Sequence, residues 1–564
     1  MILDGRLSSP ACPDGPADDA AKAILSAYER LGSRLLSEVA GEFSLLICDA
    51  ERRRVLCVRD PVGLHPLLYA ESGDTLIVSP YLEPLLQNTR SAPSADPVAV
   101  VLSILGYRLG TDETLFPAVK RVPPGHVLER TPTRTDLSRY WDPGEPGCET
   151  GLSAADAADQ FEALLFGAAA RCVGSAPVAV FLSGGVDSAI VAAAAAAAAD
   201  SSALPPPLGL SLMVDHPDLD EESNQRAVAA DLGLDLVHAS VEEATGHGGL
   251  LTATLRVSAA GSAGPADIIQ PIYDFLADAA LQRGISIICN GQGGDEWLLP
   301  TPEYAADRLL ALDARSLRAL KQAHSRYYPI GSQAASGRHL VEVGARTLAR
   351  AAVLRGGLSR RRAQSMMGRR LIKRLPPWLA PSATLRSEVA ERAVASAVAD
   401  TRVLGLCRFS RLARLDRPGR PGNLEHAFAT HRRLGVKIAM PLLDADVVRF
   451  LHRLPVDRLV DGGQAKALAR PLVTKRLPRF AAAWSRTVSG ARYYGNLIER
   501  ETPLAWRKAG GTPYLGGLGV VDETAVQQLM DAGSQTTGIW PVTNLDVWLR
   551  ASLGTSSGLA AESR

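Results

Sequence analysis

The hydrophobic pattern of the first 145 residues is typical of a small β-rich domain. Two strand-length apolar runs, residues 43–49 and 54–60, enclose the polar segment 49–53. Two such runs joined by a short polar segment predict a β-hairpin. A further turn is predicted at 123–125, where the sequence is Pro-Pro-Gly, and the Pro- and Gly-rich residues 141–147 are expected to be a linker.

From about residue 150 the pattern changes to continuous apolar runs separated by helical segments. Strands are predicted at 177–182, 208–213, 234–239 and 285–289, and the alanine-rich residues 189–199 favour a buried helix. Strands that are apolar throughout, rather than at alternate positions, indicate a parallel sheet covered by helices on both faces. We therefore expect an α/β protein: a β-rich (α+β) domain at 1–145, followed at 150–564 by a parallel-sheet domain with a helical C-terminal part.

A strongly basic helical segment interrupts the second domain. Residues 311–380 contain 15 Lys and Arg against two acids, Asp313 and Glu342, a local charge of 15 − 2 = +13. We expect an Arg-rich helical insertion at about 300–420, broken at Pro376-Pro377. A solvated helical face is one interpretation of its charge, and contact with an anionic peptide or a leader-peptide carrier is the other. The last dozen residues are expected to be frayed.

The overall composition narrows the class of protein. Of the 564 residues 46% are hydrophobic, and 61 Lys and Arg against 60 Asp and Glu give a net charge of +1. This balance disfavours a nucleic-acid-coating protein or a long disordered chain. No apolar run approaches the roughly 20 residues of a membrane span, no secretory signal is recognisable, and the seven cysteines form no CxxC pair. We expect a cytoplasmic protein without membrane insertion.

The most informative motif is Ser183-Gly184-Gly185-Val186-Asp187-Ser188, directly between a predicted buried strand and a helix. Glycines allow the backbone N–H groups to approach an anion, the two serines add hydroxyl donors, and the helix directs its positive end to the same place. A phosphate site is therefore predicted. Because the loop lacks the lysine of the GxxxxGK[ST] motif, the phosphates need a cation, which Asp187 is placed to hold.

A second glycine-rich loop directly follows the predicted strand 285–289, with the sequence Asn290-Gly-Gln-Gly-Gly-Asp295-Glu296. Ligands of open α/β sheets bind at the carboxyl ends of the strands, so both loops are expected to face one crevice. Asp187 and Asp295 could then share a Mg²⁺ that bridges the phosphates of ATP, since that ion prefers oxygen ligands. A purely structural acidic helix start is the alternative for Asp295 and Glu296.

These motifs resemble those of the asparagine synthetase family. The first loop is similar to the pyrophosphate loop of ATP-pyrophosphatases. The stretches 41–49, 59–69 and 123–126 are similar to the glutamine amidotransferase domain of that family, and 440–444 and 463–470 match later motifs of its synthetase domain. The resemblance implies ATP and Mg²⁺ as co-substrate and cofactor. It also implies nucleotide-binding and catalytic residues, as follows: Leu182, Ser183, Gly184, Gly185, Asp187, Ser188, Leu212, Met213, Asn290, Gly291, Gly293 and Lys466.

Departures from the family pattern change the expected reaction. The amidotransferase nucleophile is an N-terminal cysteine, but Ile2 stands at that position, so glutamine hydrolysis is not expected and the domain is interpreted as a scaffold. The resemblance then leaves two branches of the family that make an intramolecular amide, namely the β-lactam synthetases and the lasso peptide cyclases. Gln292 replaces the tyrosine of the β-lactam synthetase loop, whereas Glu425 matches, by spacing alone, the glutamate that pairs with it.

The resemblance is nearest to lasso peptide cyclases because of the Arg-rich insertion with Pro376-Pro-Trp378. The implied reaction is adenylation of an Asp or Glu side chain in a precursor peptide, followed by attack of the peptide's α-amine to close a macrolactam. Glu425, Lys466 and Gln292 are the candidate catalytic residues, with Glu425 as base or positioning carboxylate. The implied partners are the precursor peptide, a leader-recognition protein and a leader peptidase, and no nucleic acid. A synthetase for small molecules and an inactive ATP- or peptide-binding scaffold are the alternatives.

Overall fold

The structure is a computed structural model. It describes residues 1–7, 17–89, 92–107, 109–144, 147–214, 216, 219–261, 263–300, 302–328, 336–355, 357–399, 421–484, 490–533 and 536–555. The predicted frayed C-terminus therefore lies mostly outside the described residues. Within the described residues, no helix is both long and apolar enough to cross a membrane.

The N-terminal part is β-rich, as predicted, and contains two antiparallel sheets. The first has the order β1-β2-β3-β7-β8 and the second the order β5-β4-β6. The strands are β1 Ile2–Leu7, β2 Gly41–Asp49, β3 Arg54–Arg59, β4 Leu68–Ser72, β5 Thr75–Ser79, β6 Lys120–Arg121, β7 His126–Arg130 and β8 Thr135–Arg139. The predicted hairpin is confirmed, because β2 and β3 pair antiparallel from Ser44 opposite Arg59 to Asp49 opposite Arg54.

The second part is built on a five-stranded parallel sheet of order β11-β10-β9-β12-β13. Its strands are β9 Val178–Phe181, β10 Leu208–Met213, β11 Leu236–Ser240, β12 Ile287–Cys289 and β13 Lys437–Ala439. The chain adds β10 and β11 on one side of β9 and β12 and β13 on the other. The direction of winding therefore reverses between β9 and β12, and a crevice opens beyond their carboxyl ends.

Helices cover the parallel sheet, and further helices form the insertion and the C-terminal part. In the sheet domain they span Ala154–Val173, Val186–Ser201, Glu222–Leu232, Val241–Thr245, Leu250–Ala259, Gln270–Leu281 and Gly294–Trp297. The insertion contributes Pro302–Leu310, Ala314–Tyr327, Gly337–Arg355, Gly357–Arg374 and Ala383–Ala399. Beyond it lie Pro421–Leu434, Ala445–Arg453, Ala469–Arg476, Pro478–Ala483, Ala491–Ala509, Pro513–Gly517, Glu523–Ala532 and Trp540–Ser552. The N-terminal part adds Ala17–Leu31, Leu82–Gln87 and Pro97–Ile104.

The helix Val186–Ser201 forms the centre of the main core. Its alanines are small enough to pack against Phe161 and Leu165 of the helix Ala154–Val173 and against Val180 of β9. Ala192, Ala194 and Ala195 are fully buried. The alanine-rich segment is therefore a core helix, as predicted, and its packing fixes the position of the loop at its N-terminus.

The N-terminal part packs against the end of the insertion and the last helix. Val100 and Phe116 share one apolar cluster with Trp378, Leu379 and Trp548. The predicted break in the insertion is also present, since the helix Gly357–Arg374 ends just before Pro376. The N-terminal part therefore shares a hydrophobic core with the insertion and the last helix.

Candidate active site

The first loop, Ser183–Ser188, is held in shape by its own hydroxyl groups. Ser188 Oγ lies 3.0 Å from Ser183 Oγ and donates to the carbonyl of Gly185 at 3.0 Å. The following helix begins at Val186 without a side-chain cap. Among the described contacts, the N–H groups of Val186 and Asp187 have no acceptor, so they are free to donate to an anion.

Gly184 is required where this loop turns against the segment after β10. Its φ of 89° lies in the left-handed region, and a Cβ there would stand 2.7 Å from Cβ of Glu221. Burial raises the pKa of Glu221 to about 7. The titratable residue Glu221 therefore packs against the predicted phosphate loop through its backbone and Cβ.

The second loop packs directly on the first, as the strand-end argument predicts. A Cβ on Gly291 would approach the backbone N of Ser188 to 2.7 Å, and one on Gly294 would lie 2.1 Å from Cγ of Asp187. Only glycine allows this approach at either position. Gly293, with a φ of 104°, is in turn packed against Leu443, which follows β13. Three strand ends therefore converge on one place.

Lys466 links the two loops through their aspartates. Its Nζ lies 2.6 Å from Oδ2 of Asp187 and 2.7 Å from Oδ1 of Asp295. The Lys466 side chain is 1% exposed, while those of Asp187 and Asp295 are 17% and 72% exposed. The cluster is therefore buried at the lysine and open to solvent at Asp295.

The electrostatics of the cluster favour a charged lysine. Burial alone lowers the pKa of Lys466, but its interactions with Asp187, Tyr327 and Asp295 outweigh burial and hold the pKa above its ordinary value. Burial raises the pKa of Asp187 to about 6, which Lys466 opposes and Asp295 reinforces. The Tyr327 ring lies 5.3 Å from Nζ, a cation–π contact. The site thus combines a charged ammonium with the carboxyl groups of Asp187 and Asp295.

The backbone of Lys466 adopts a conformation that is uncommon for a non-glycine residue. Its φ is +53°, in the left-handed region. Such residues carry a cost of about 1–3 kcal/mol and cluster at functional sites. The strain is consistent with a side chain that has to reach the loops from the segment between Gly463 and the helix Ala469–Arg476.

The carboxylate oxygens of Asp187 and Asp295 that do not contact Lys466 fit a magnesium ion bound together with nucleotide phosphates. Oδ1 of Asp187 is buried and has no hydrogen-bond partner in the described part of the chain. Asp295 uses one oxygen for Lys466 and is largely exposed. Two carboxylate oxygens suit Mg²⁺, which takes its remaining ligands from phosphates and water. The described residues contain no cluster of three or more His, Cys, Asp or Glu that could hold a metal alone.

The residues predicted to contact the nucleotide lie around the first loop. Leu182 is buried at the end of β9, and Leu212 and Met213 are half-buried at the end of β10. Gln225 ties the two strand ends together, since its Nε2 donates to the carbonyls of Leu212 and Ser183 at 3.2 and 3.4 Å. Their roles in binding remain predictions, but they border the same crevice.

Asn290 and Gln292 shape the second loop. The Asn290 side-chain oxygen accepts a hydrogen bond from the backbone N–H of Gln292 at 3.1 Å, and the Asn290 N–H donates to Ala439 of β13. Asn290 therefore stabilises the conformation of the second loop and its contact with β13. A catalytic role for the half-buried Gln292 stays a prediction.

Glu425 pairs with an arginine of the N-terminal part. It is buried in the helix Pro421–Leu434, and its two oxygens accept hydrogen bonds from Arg121 of the N-terminal part at 2.6 and 3.0 Å. Burial opposes its ionisation, but Arg121 and Arg59 outweigh burial, so the pKa of Glu425 lies below its ordinary value. A base with a lowered pKa and both oxygens occupied accepts a proton poorly. The geometry therefore gives Glu425 an interdomain contact, and its catalytic role stays a prediction.

Sequence reasoning missed three residues of this site. Gly294 belongs to the second motif, and its neighbour Asp295 was singled out, but nothing in the sequence marks it as the glycine that contacts Asp187. Glu221 comes directly before the helix Glu222–Leu232 and was not among the candidate site residues. Tyr327 lies in the Arg-rich insertion, where no motif points to a contact with Lys466.

Comparisons with known proteins agree with the architecture. The model of the family described as asparagine synthase matches residues 160–550, and that of the glutamine amidotransferase domain matches residues 17–141. An amidase (chyE) of Penicillium rubens is 26% identical over 307 residues, 51% of this chain and 44% of that protein. An amidase (chry2) of Gibberella zeae is 30% identical over 173 residues, 30% of this chain and 25% of that protein.

A third relative carries the family name. A glutamine-hydrolysing asparagine synthetase of Bacillus subtilis is 28% identical over 180 residues, 30% of this chain and 24% of that protein. The chain thus spans less than half the length of each of these curated relatives. The match to the asparagine synthase model, however, extends over well over half of the chain and includes both loops and Lys466. The chain belongs to the asparagine synthase family.

Proposed function

We propose that this chain is an ATP-dependent, AMP-forming amide ligase that closes a macrolactam ring in a precursor peptide, as lasso peptide cyclases do. The observation that carries the proposal is the convergence of two glycine-rich loops on Lys466, which contacts Asp187 at 2.6 Å and Asp295 at 2.7 Å. Unpaired backbone N–H groups, a buried ammonium and two carboxylates at one crevice are suited to a triphosphate with its metal.

In the first step a side-chain carboxylate of the peptide attacks the α-phosphorus of ATP. The new bond joins carboxylate oxygen to phosphorus, the bond from that phosphorus to the bridging oxygen breaks, and pyrophosphate leaves. Negative charge grows on the departing phosphates, beside the Lys466 ammonium and the helix N-terminus at Val186, which are preorganised to stabilise it. Mg²⁺ held by Asp187 and Asp295 would neutralise further phosphate charge.

In the second step the peptide's α-amine attacks the acyl-adenylate. The amide bond forms, the bond from carbon to the phosphate-bearing oxygen breaks, and AMP leaves with one of the original carboxylate oxygens. The amine proton passes to a base. Because Glu425 is paired with Arg121, we do not assign it this proton. Holding both ends of the peptide in one site can contribute up to roughly 7–11 kcal/mol to such a step.

The state of the amidotransferase-like part supports an amine source other than glutamine. β1 carries Ile2 and no cysteine, and the Ile2 side chain is 65% exposed. Within the proposal β1 offers no thiol nucleophile for a glutamyl thioester, so the amine is expected to come from another source than glutamine. An amine already present in the acid-bearing molecule removes that need, which favours an intramolecular ligation. A leader-recognition protein and a leader peptidase that exposes the α-amine are part of this proposal.

A small-molecule amide synthetase is the second candidate. It is favoured by the likeness to a protein named asparagine synthetase. On this alternative the same site adenylates a small carboxylic acid.

The two candidates are separated by incubating the chain with α-³²P-labelled ATP, Mg²⁺ and either a leader-free candidate precursor peptide or small carboxylic acids. We expect labelled AMP and a peptide lighter by one water. Labelled AMP with small acids only would favour the small-molecule synthetase. No AMP with either class would contradict both. Lys466→Ala serves as the inactive control.

A further inference from the structure

The helix Gly357–Arg374 of the insertion presents a basic surface to solvent. Six basic side chains on it are exposed, namely Arg361, Arg362, Arg369, Arg370, Lys373 and Arg374. Within the described part of the chain none of the six forms an ion pair. We call this set the basic stripe.

The basic stripe is a fixed feature of the helix. Leu371 packs against the apolar cluster around Trp378, and Gly368 faces Ala390 of the helix Ala383–Ala399. With one face held in this way, Arg362, Arg369 and Lys373, at spacings of seven and four residues, share the outward face and extend over about 17 Å.

Other arginines near the stripe have partners, which makes the stripe distinctive. Arg392 of the neighbouring helix pairs with Asp96 at 2.6 Å and with Glu113 at 2.9 Å. Arg386 donates to backbone carbonyls, including that of Ala380 at 2.8 Å. Six unpaired cations on one short helix repel each other by small but additive amounts. An anionic partner would remove this repulsion.

The distribution of charge favours a short anion over a long one. Residues 311–380 carry +13, and because the whole chain carries +1, the remainder carries 1 − 13 = −12. A nucleic-acid duplex is stiff and would extend past the stripe onto this acidic remainder. A short acidic peptide segment is confined to the stripe. The stripe also contains no aromatic side chain on which bases could stack.

The helical layer that carries the stripe continues to the active site. Tyr327, whose ring contacts Lys466, lies in one apolar cluster with Leu340 of the helix Gly337–Arg355 and with Ala465. The helix Gly337–Arg355 in turn leads into Gly357–Arg374. A peptide bound along the stripe is therefore held by the same layer that borders the reacting groups.

We propose that the basic stripe is the docking surface for an acidic segment of the peptide substrate, outside the part that reacts. This inference deepens the proposed function and rests on it for the identity of the partner. The stripe would raise the local concentration of the peptide at the site by electrostatic attraction. It would not take part in adenylation.

Fluorescence anisotropy tests docking without ATP and therefore independently of turnover. The probe is a labelled twelve-residue peptide of alternating Glu and Ser, with the Gln-and-Ser peptide and a short double-stranded RNA as competitors. The variant R362E/R369E/K373E removes the stripe, and R362Q/R369Q/K373Q does so with a smaller change in charge. The control R34E/R507E/K508E alters the same number of exposed basic residues on other surfaces.

We expect the acidic probe to bind the wild type and the control equally, and binding to weaken with salt. Both stripe variants should lose affinity by about tenfold or more, while their thermal unfolding is unchanged. Equal affinity in the stripe variants, or competition by the Gln-and-Ser peptide, would overturn the proposal. Stronger binding of RNA that depends on the stripe would also overturn it. Failure of AMP formation with docking intact would count against the ligase function alone.

Discussion

The Nζ of Lys466 lies 2.6 Å from Oδ2 of Asp187, although 279 positions separate the two residues along the chain. The same nitrogen lies 2.7 Å from Asp295. One buried ammonium therefore holds together the loops that follow β9 and β12, and it does so at the reversal point of the parallel sheet. The contact is both the electrostatic centre of the site and part of its architecture.

Replacing Lys466 by alanine should abolish most of the AMP formation. Removal of one preorganised group that stabilises developing charge lowers a rate by about 10²–10³. Single-turnover release of AMP measures the effect. Lys475→Ala is the matched control, since that lysine is 62% exposed and its ion pair among the described residues is with Glu162. Equal rates for Lys466→Ala and Lys475→Ala would show that the buried lysine has no chemical role.

Gly294→Ala should distort the site because the new Cβ would lie 2.1 Å from Cγ of Asp187. Overpacking of this kind costs about 1–3 kcal/mol of unfolding free energy, and we expect ATP binding to weaken as well. Chemical denaturation and nucleotide titration provide the two measurements. Gly495→Ala, where nothing lies within 4 Å of the new Cβ, should leave both properties intact. An undisturbed Gly294→Ala would contradict the close packing of the two loops.

Glu221 should make ATP binding depend on pH. Its pKa is raised to about 7 by burial, and it lies against Gly184 of the phosphate loop. Above that pH the ionised carboxylate repels the triphosphate, so affinity should fall by about two- to tenfold between pH 6 and 8. The measurement is the ratio of Kd values of the wild type and Glu221→Gln for a non-hydrolysable ATP analogue with Mg²⁺. Titration of the nucleotide cancels in this ratio, so a ratio that stays constant with pH rules the effect out.

Glu425→Gln separates a structural role from a catalytic one. Because Glu425 is buried and paired with Arg121, its replacement should lower the unfolding free energy by about 3–5 kcal/mol. The rate of AMP formation at saturating substrate should fall by less than about tenfold, whereas loss of a general base costs about 10²–10⁴. Arg432 lies on the same helix as Glu425 and forms a more exposed ion pair with Glu83. Arg432→Gln should therefore lower the unfolding free energy by under about 1 kcal/mol.

If Glu425→Gln lowered the rate by about 10²–10⁴ and left the unfolding free energy unchanged, Glu425 would be the proton acceptor. The two measurements have to be made on the same preparation, because partial unfolding also lowers the apparent rate. Thermal unfolding before and after the assay provides that check.

The sequence predicted those parts of the molecule that depend on local pattern. The continuous apolar runs that became β9, β10 and β12 implied a parallel sheet, and a parallel sheet places the carboxyl ends of its strands at one edge. The approach of Gly291 to Ser188 follows from that rule alone. The hairpin of β2 and β3 was equally local, since a polar turn joined two apolar runs.

Contacts between distant segments were beyond such reasoning. Lys466 was identified by its motif, but its left-handed backbone and its bridging of two aspartates depend on the packing of segments far apart in the chain. Tyr327 reaches the site from an insertion whose sequence indicates only basic helices. Glu425 was placed by spacing along the chain, and spacing carries no information about Arg121, 304 positions away.

The most direct test of the account follows the oxygen atoms of the activated carboxylate. The chain is incubated with unlabelled ATP, Mg²⁺ and a leader-free precursor peptide whose acceptor carboxylate carries ¹⁸O in both positions, and the products are weighed by mass spectrometry. The account predicts AMP with one ¹⁸O and a cyclic peptide that keeps the other. ADP with phosphate as products, or AMP without the heavy isotope, would contradict activation of the acid at the α-phosphorus.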